Sequence, residues 1–166
     1  QIDALSQVAF VDGPDGHPTA NRELIGRNAS VLGERIGLNL DDSLRMLIGE
    51  TDANHVFVRE EQMMPFLPIV RVPNIDQAIR EAVISENGYG HTAIIHSRNI
   101  ENMHRMARAA NTTIFVKNGP SYAGVGLGGE GFGTYSIAGP TGEGLTSPRT
   151  FTRQRRCALV DYFRIT

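Results

Sequence analysis

Tryptophan is absent from this 166-residue chain, cysteine occurs once, and aromatic residues make up only 7% of it. A single cysteine excludes an internal disulfide framework and fits a reducing compartment, so the expectation is an intracellular protein. Charge of one sign is also lacking: 16 Lys and Arg face 18 Asp and Glu, a net charge of −2. That balance argues against a general nucleic-acid binder. No apolar run approaches the roughly 18 residues of a membrane span. The opening QIDALSQVAF has neither a basic n-region nor a signal-type apolar core. What remains, 40% hydrophobic and 20% charged, describes one globular domain long enough for a sizeable core. The chain begins at Gln1 and runs into the turn-rich VDGPDGHP. We therefore expect residues 1–20 to be irregular and the chain to start partway through a larger protein.

Glycine is what the chain has in plenty, 18 residues of it. The stretch from Thr112 to Arg149 organises the rest. Its apolar, β-branched opening (Thr112 to Val116) reads as a buried strand. A long, nearly uncharged glycine-rich tract follows. Such a tract is kept ordered where backbone must approach a ligand or another part of the protein closely. Phe132, Tyr135, Ile137, Leu145 and Phe151 punctuate it and each calls for burial. An ordered, site-forming loop is therefore favoured over a linker.

The clearest architecture lies upstream. Thr19 can cap a helix over 20–25, an amphipathic piece covers Ala29 to Ile36 with Gly37 as its stop, and Arg45 to Gly49 reads as a strand. Phe66 to Val72 is a strand in which Pro68 suits the start or an edge better than the middle. Asn74 caps a helix with Gln77 at the capping-box position. Ile75, Ala78, Ile79, Ala82 and Val83 form its apolar stripe. Thr92 to His96 is a strand, and a helix from Ile100 to Ala110 is expected to bury Ile100, Met103, Ala107 and Ala110. Strand, helix, strand, helix, strand predicts right-handed crossovers and an α/β fold with a parallel sheet and flanking helices. Arg156 to Val160 and Tyr162 to Ile165 read as a terminal strand or strand pair.

Gly124 to Gly129 satisfies G-x-G-x-x-G by letter, but Asn118 to Ala123 intervene after the strand and no helix can follow it. It does not read as a dinucleotide fingerprint. Cys157 sits in an apolar run after two arginines, where a packing role is favoured over a nucleophilic one. The five histidines show no metal-ligand spacing. His91, at the mouth of a strand, is the best acid/base candidate. Glu60 and Glu61 sit either at a solvated turn or at the rim of a site, accepting hydrogen bonds from ligand hydroxyls. Arg149, Arg153, Arg155 and Arg156 form a basic cluster that is a solvated face more often than an anion clamp.

Several segments, taken together and in order, carry a resemblance. They are Glu61 to Pro65 (EQMMP), Leu67 to Val72, Gly90-His91-Thr92-Ala93, Ile114 to Pro120, Gly128 to Phe132, Pro140 to Ser147, and Arg155-Arg156-Cys157. From about Asn21 onward the chain resembles the C-terminal part of CoA-acylating aldehyde dehydrogenases, in particular the acetaldehyde and propionaldehyde enzymes of bacterial microcompartments. The resemblance implies that residues 21–150 are part of the α/β catalytic domain and that 151–166 form a C-terminal oligomerisation strand.

It also implies a chemistry. In such enzymes a cysteine thiolate attacks the aldehyde, hydride passes to NAD, and coenzyme A takes the acyl group from the thioester. Glu61 matches the family glutamate that hydrogen-bonds the nicotinamide-ribose hydroxyls. Met63 stands where many relatives place a phenylalanine against the nicotinamide. His91 matches a histidine of acylating members, near the thioester or the CoA thiol, and Asn118 lies where the substrate pocket is lined. The family nucleophile lies upstream of the matched part, and Cys157 does not correspond to it. The chain is thus expected to be a fragment that turns over no aldehyde alone. Its implied partners are a short-chain aldehyde, further copies of itself, and the shell or enzymes of a microcompartment. The implied location is the cytoplasm or microcompartment lumen, with neither nucleic acid nor membrane as a partner. A non-catalytic oligomerisation module of the same fold, and an autonomous nucleotide-binding domain using Gly124 to Gly129, remain as alternatives.

Overall fold

The computed structural model describes residues 1–134 and 145–160. The chain forms two compact units, Gln1–Gly88 and Tyr89–Thr166, and each is described by itself.

The first unit opens with helix α1 (Ile2–Ala9), followed by an antiparallel hairpin of β1 (Phe10–Asp12) and β2 (Pro18–Ala20). This corrects the expectation of an irregular segment over 1–20. Leu5 and Ala9 fall on one helix face and are buried in the core, so packing rather than local propensity orders the segment. The helix expected over 20–25 does not form. Ala20 belongs to β2, and Asn21 uses its side-chain oxygen to accept from the Glu23 amide, closing a turn instead. Helix α2 (Ala29–Glu34) buries Leu32 and ends before Gly37, which carries φ +76°.

Strand β3 (Leu47–Thr51), two residues later than expected, pairs in parallel with β4 (Phe66–Val70), Leu47 opposite Phe66 and Thr51 opposite Val70. The short helix α3 (Val56–Arg59) lies between them in sequence, and α4 (Ile75–Glu86) follows β4. Pro68 occupies the middle of β4, opposite Gly49. The core is Leu5, Ala9, Phe10, Leu24, Leu32, Phe57 and Phe66. The Phe57 ring meets Phe10 edge-on at 5.2 Å and Phe66 at 4.3 Å. Helix α4 starts where expected, the Asn74 side chain accepting from the Gln77 amide at 2.9 Å, and stops at Asn87 in the left-handed region.

The second unit pairs β5 (Thr92–Ile95) in parallel with β6 (Ile114–Lys117), joined by α5 (Ile100–Ala110). Asn99 caps α5 and Asn111 ends it in the left-handed region. Met106 is the buried residue of α5, whereas Ile100, expected inside, is 80% exposed at the first turn. Residues 152–160, expected as strand, form no regular structure and are exposed throughout. Their apolar side chains meet no partner among the described residues of this unit. Tyr135, Ile137, most of the Pro140 to Ser147 motif and the expected strand at Tyr162 to Ile165 lie outside the described residues. No helix of the described residues is long and apolar enough to cross a membrane.

Candidate functional site

The loop carrying Glu61 is fixed from both ends. Upstream, the His55 ring nitrogen accepts from the Phe57 amide at 3.3 Å and caps α3, setting Phe57 into the core. Helix α3 ends where the Glu60 amide donates to the Val56 carbonyl at 2.9 Å. Downstream, the Phe66 ring is buried against Phe57, and the Leu47 amide donates to the Pro65 carbonyl at 2.8 Å. Between these anchors Met63 adopts φ +52°, a conformation that non-glycine residues enter at a free-energy cost. Two further bonds hold it there. The Gly26 amide donates to the Met63 carbonyl at 3.1 Å, and the Gln62 side-chain amide donates to the Phe66 carbonyl at 3.2 Å.

This framework presents two side chains outward. Glu61 is exposed, and among the described residues no hydrogen bond or ion pair engages its carboxylate. Two other acids of this unit are paired, Glu81 with Arg59 at 3.2 Å and Glu50 with Arg71 at 2.8 Å. Met63, beside it, is 57% exposed. A free carboxylate accepts hydroxyl hydrogens in pairs, and a polarizable thioether suits the face of a flat heterocycle. These two side chains could hold a ribose and its base.

His91 and Asn118 both belong to the second unit, and the strand register separates them. His91 immediately precedes β5, its Nδ1 lying 2.6 Å from the Thr92 hydroxyl and its carbonyl accepting from the Ile114 amide. Asn118 follows the carboxyl end of β6. Five residue steps along the pair at about 3.3 Å each put them roughly 16 Å apart, at opposite ends. Ligands of parallel sheets gather beyond the carboxyl ends of the strands, and of the two residues Asn118 is the one there.

Asn118 holds φ +55°, and its side chain is fully committed. The Oδ1 atom accepts from the Ser97 amide at 2.8 Å and the Nδ2 group donates to the Ser97 carbonyl at 3.0 Å. Its own amide donates to the Ile95 carbonyl at 2.8 Å. The residue thus ties the end of β6 to the end of β5. It also borders a cleft of about 540 Å³ walled by Lys117, Pro120 and the glycine-rich tract. Ser97 was invisible to sequence reasoning, because a backbone partner 21 positions away leaves no side-chain signature.

The described part of the glycine-rich tract packs against itself and against β6. A Cβ on Gly124 would collide with Ile114, and one on Gly131 would stand 2.6 Å from the Gly124 carbonyl oxygen. The tract opens as a short 3-10 helix, Ser121–Val125, and residues 126–134 form no helix, so the letter match at Gly124 to Gly129 opens none. Of the residues expected inside, Phe132 and Phe151 are exposed and Leu145 is half-buried. Cys157 is likewise exposed, a correction to the packed-cysteine reading, because the strand that would have buried it does not form. Among the described residues no group of three or more His, Cys, Asp or Glu side chains gathers.

The four candidate residues all fall within 46–137, which match the model of the aldehyde dehydrogenase family. The chain is 57% identical over 150 residues to the acetaldehyde dehydrogenase (acetylating) EutE of Salmonella typhimurium, covering 90% of this chain and 32% of that protein. The fold is similar to Rhodopseudomonas palustris propionaldehyde dehydrogenase with bound propionyl-CoA (TM-score 0.84, 45% identity, 95% of this chain and 34% of that one). It is also similar to a propionaldehyde dehydrogenase from the Clostridium phytofermentans fucose utilisation bacterial microcompartment (TM-score 0.83, 43% identity, 99% and 37%). The chain therefore spans about a third of the length of these relatives. The parallel strand pairs, the likeness to these relatives and a family match across more than half of the residues agree, and the chain belongs to the aldehyde dehydrogenase family.

Proposed function

We propose that this chain forms part of an NAD-dependent, CoA-acylating aldehyde dehydrogenase that converts a short aliphatic aldehyde, acetaldehyde or propionaldehyde, and CoA to acyl-CoA. The overall change balances as aldehyde, CoA thiol and NAD⁺ giving acyl-CoA, NADH and a proton. The observation that carries this reading is Glu61, an exposed carboxylate with no partner among the described residues, on a loop pinned by two buried phenylalanines. Glu61 accepts hydrogen bonds from the nicotinamide-ribose hydroxyls, and Met63 lies against the ring. When bound, the nicotinamide supplies a hydride acceptor. The chain's own task is orientation: holding that acceptor in one pose removes rotational freedom on binding, so that it is not lost in the chemical step.

The attacking sulfur is supplied from outside these residues. Cys157 is exposed on an irregular segment, with none of the base and orienting contacts that activate a nucleophilic thiol among the described residues. The 166 residues alone are thus expected to oxidise no aldehyde. His91, at the end of the β5–β6 pair opposite Asn118, is assigned to the acyl-transfer half of the reaction by the resemblance alone; Asn118 is assigned to the substrate cleft, whose rim the clamp on Ser97 holds. Leu159 and Val160, 60% and 71% exposed, lie in the segment assigned to self-association. A microcompartment lumen is the proposed location, on the likeness to a relative from such a compartment.

Steady-state kinetics of the full-length enzyme test the assignment of Glu61. Glu61→Gln exchanges charge-assisted acceptor bonds for neutral ones, a loss of about 1.5–3 kcal/mol. That is roughly a ten- to hundredfold rise in KM for NAD. Unchanged NAD kinetics would remove the assignment.

A further inference from the structure

We propose that Gly26 is a positioning residue for the nicotinamide grip, holding the Glu61–Met63 loop in its strained conformation through its backbone amide. The proposal rests on the reading of Glu61 and Met63 as cofactor-binding residues, and it adds an element that the EQMMP motif does not contain.

The chain of contacts begins in the core. Asn21 is tied to α1 twice, its amide donating to the Ala9 carbonyl at 2.8 Å and its side chain to the Val8 carbonyl at 3.0 Å. The Leu24 amide donates to the Asn21 carbonyl, and the Leu24 side chain is wholly buried. The Arg27 amide returns to the Leu24 carbonyl at 3.2 Å, closing the turn. Gly26 sits inside this turn at φ +70°, and there its amide donates to the Met63 carbonyl at 3.1 Å. A rigid turn thus delivers one donor to the residue whose backbone is strained. Without that bond Met63 would relax toward negative φ, and a peptide rotation there would swing Glu61 and Met63 off their present directions.

Glycine at 26 is required for its backbone and not for space. A Cβ at this position would meet nothing within 4 Å, whereas φ +70° lies in the region that L-residues other than Asn and Asp avoid. Alanine therefore loads strain onto the turn without creating a clash, and asparagine, which tolerates the left-handed region, spares it.

The test compares Gly26→Ala, Gly26→Asn and Glu61→Gln in the full-length enzyme, reading KM for NAD, KM for the aldehyde and thermal stability. Gly26→Ala is expected to raise KM for NAD by about tenfold, leaving KM for the aldehyde within about twofold. Gly26→Asn should stay near wild type. If Glu61→Gln raises KM for NAD while Gly26→Ala does not, the positioning role is wrong and the reading of Glu61 stands. If neither variant moves it, both fall. A drop in stability in the alanine variant with unchanged KM for NAD also overturns the proposal, since it shows a purely structural glycine. Amide exchange in the wild-type enzyme gives a check free of any folding defect. The Gly26 amide should be protected and should slow further when NAD saturates the enzyme, and an exchange rate indifferent to NAD counts against the clamp.

Discussion

Replacing Asn118 separates the two contributions the structure assigns to it, a hydrogen-bonded clamp and a left-handed backbone. Asn118→Gly removes both bonds to Ser97 but accepts φ +55° freely. Each neutral hydrogen bond nets about 0.5–1.5 kcal/mol, so the pair is worth about 1–3 kcal/mol. The exposure of Asn118 favours the lower half of that range. Relief of backbone strain and the extra freedom of glycine in the unfolded chain are similar in size and opposite in sign, and largely cancel. Asn118→Ala loses the same bonds and in addition carries about 1–2 kcal/mol of left-handed strain. The assay is amide exchange at residue 118, whose N–H donates to the Ile95 carbonyl and reports opening of the strand ends. In the full-length enzyme the glycine variant should exchange about tenfold faster than wild type, and the alanine variant about tenfold faster again. A glycine variant with wild-type exchange would show that the clamp carries no free energy. Equal rates for glycine and alanine would show that the φ value is not held.

Two further outcomes follow from the first unit. Phe57→Ala empties the centre of the Phe10–Phe57–Phe66 cluster and should lower stability by about 3–5 kcal/mol, read as a fall in thermal midpoint; a near-unchanged midpoint would contradict the core assignment. Glu50 is held below its ordinary value of 4.5 by the Arg71 guanidinium, through hydrogen bonding first and charge second. Because the folded value is the lower one, this contribution is present above the ordinary glutamate range and is lost as pH falls through the depressed value. A carbon-13 titration of the Glu50 carboxyl should show the depressed midpoint, and Arg71→Ala should return it upward. The same midpoint in both proteins would refute the pairing.

Helix α4 was legible twice over, in its asparagine cap and its apolar stripe, and helix α5 in its stripe alone. The stripe misled at Ile100, which is exposed at the first turn of α5. Helix α1 escaped notice because the turn residues after it dominated the local reading, while its order comes from Leu5 and Ala9 in a core assembled from distant segments. Residues 152–160 have the composition of a strand, yet a strand needs a partner, and composition cannot say on which chain that partner lies. At the site, motif spacing placed Glu61 and Met63 on one loop. The bonds that hold that loop, Gly26 to Met63 and Gln62 to Phe66, run to backbone carbonyls, which every residue type shares and no pattern advertises.

The account turns on where the Glu61 carboxylate goes when the cofactor arrives, and a crystal structure of the full-length enzyme with NAD measures that directly. Carboxylate oxygens about 2.5–3.0 Å from the nicotinamide-ribose hydroxyls, with Met63 still at positive φ, are the predicted result. A ribose held by other groups, with Glu61 turned to solvent, would contradict it.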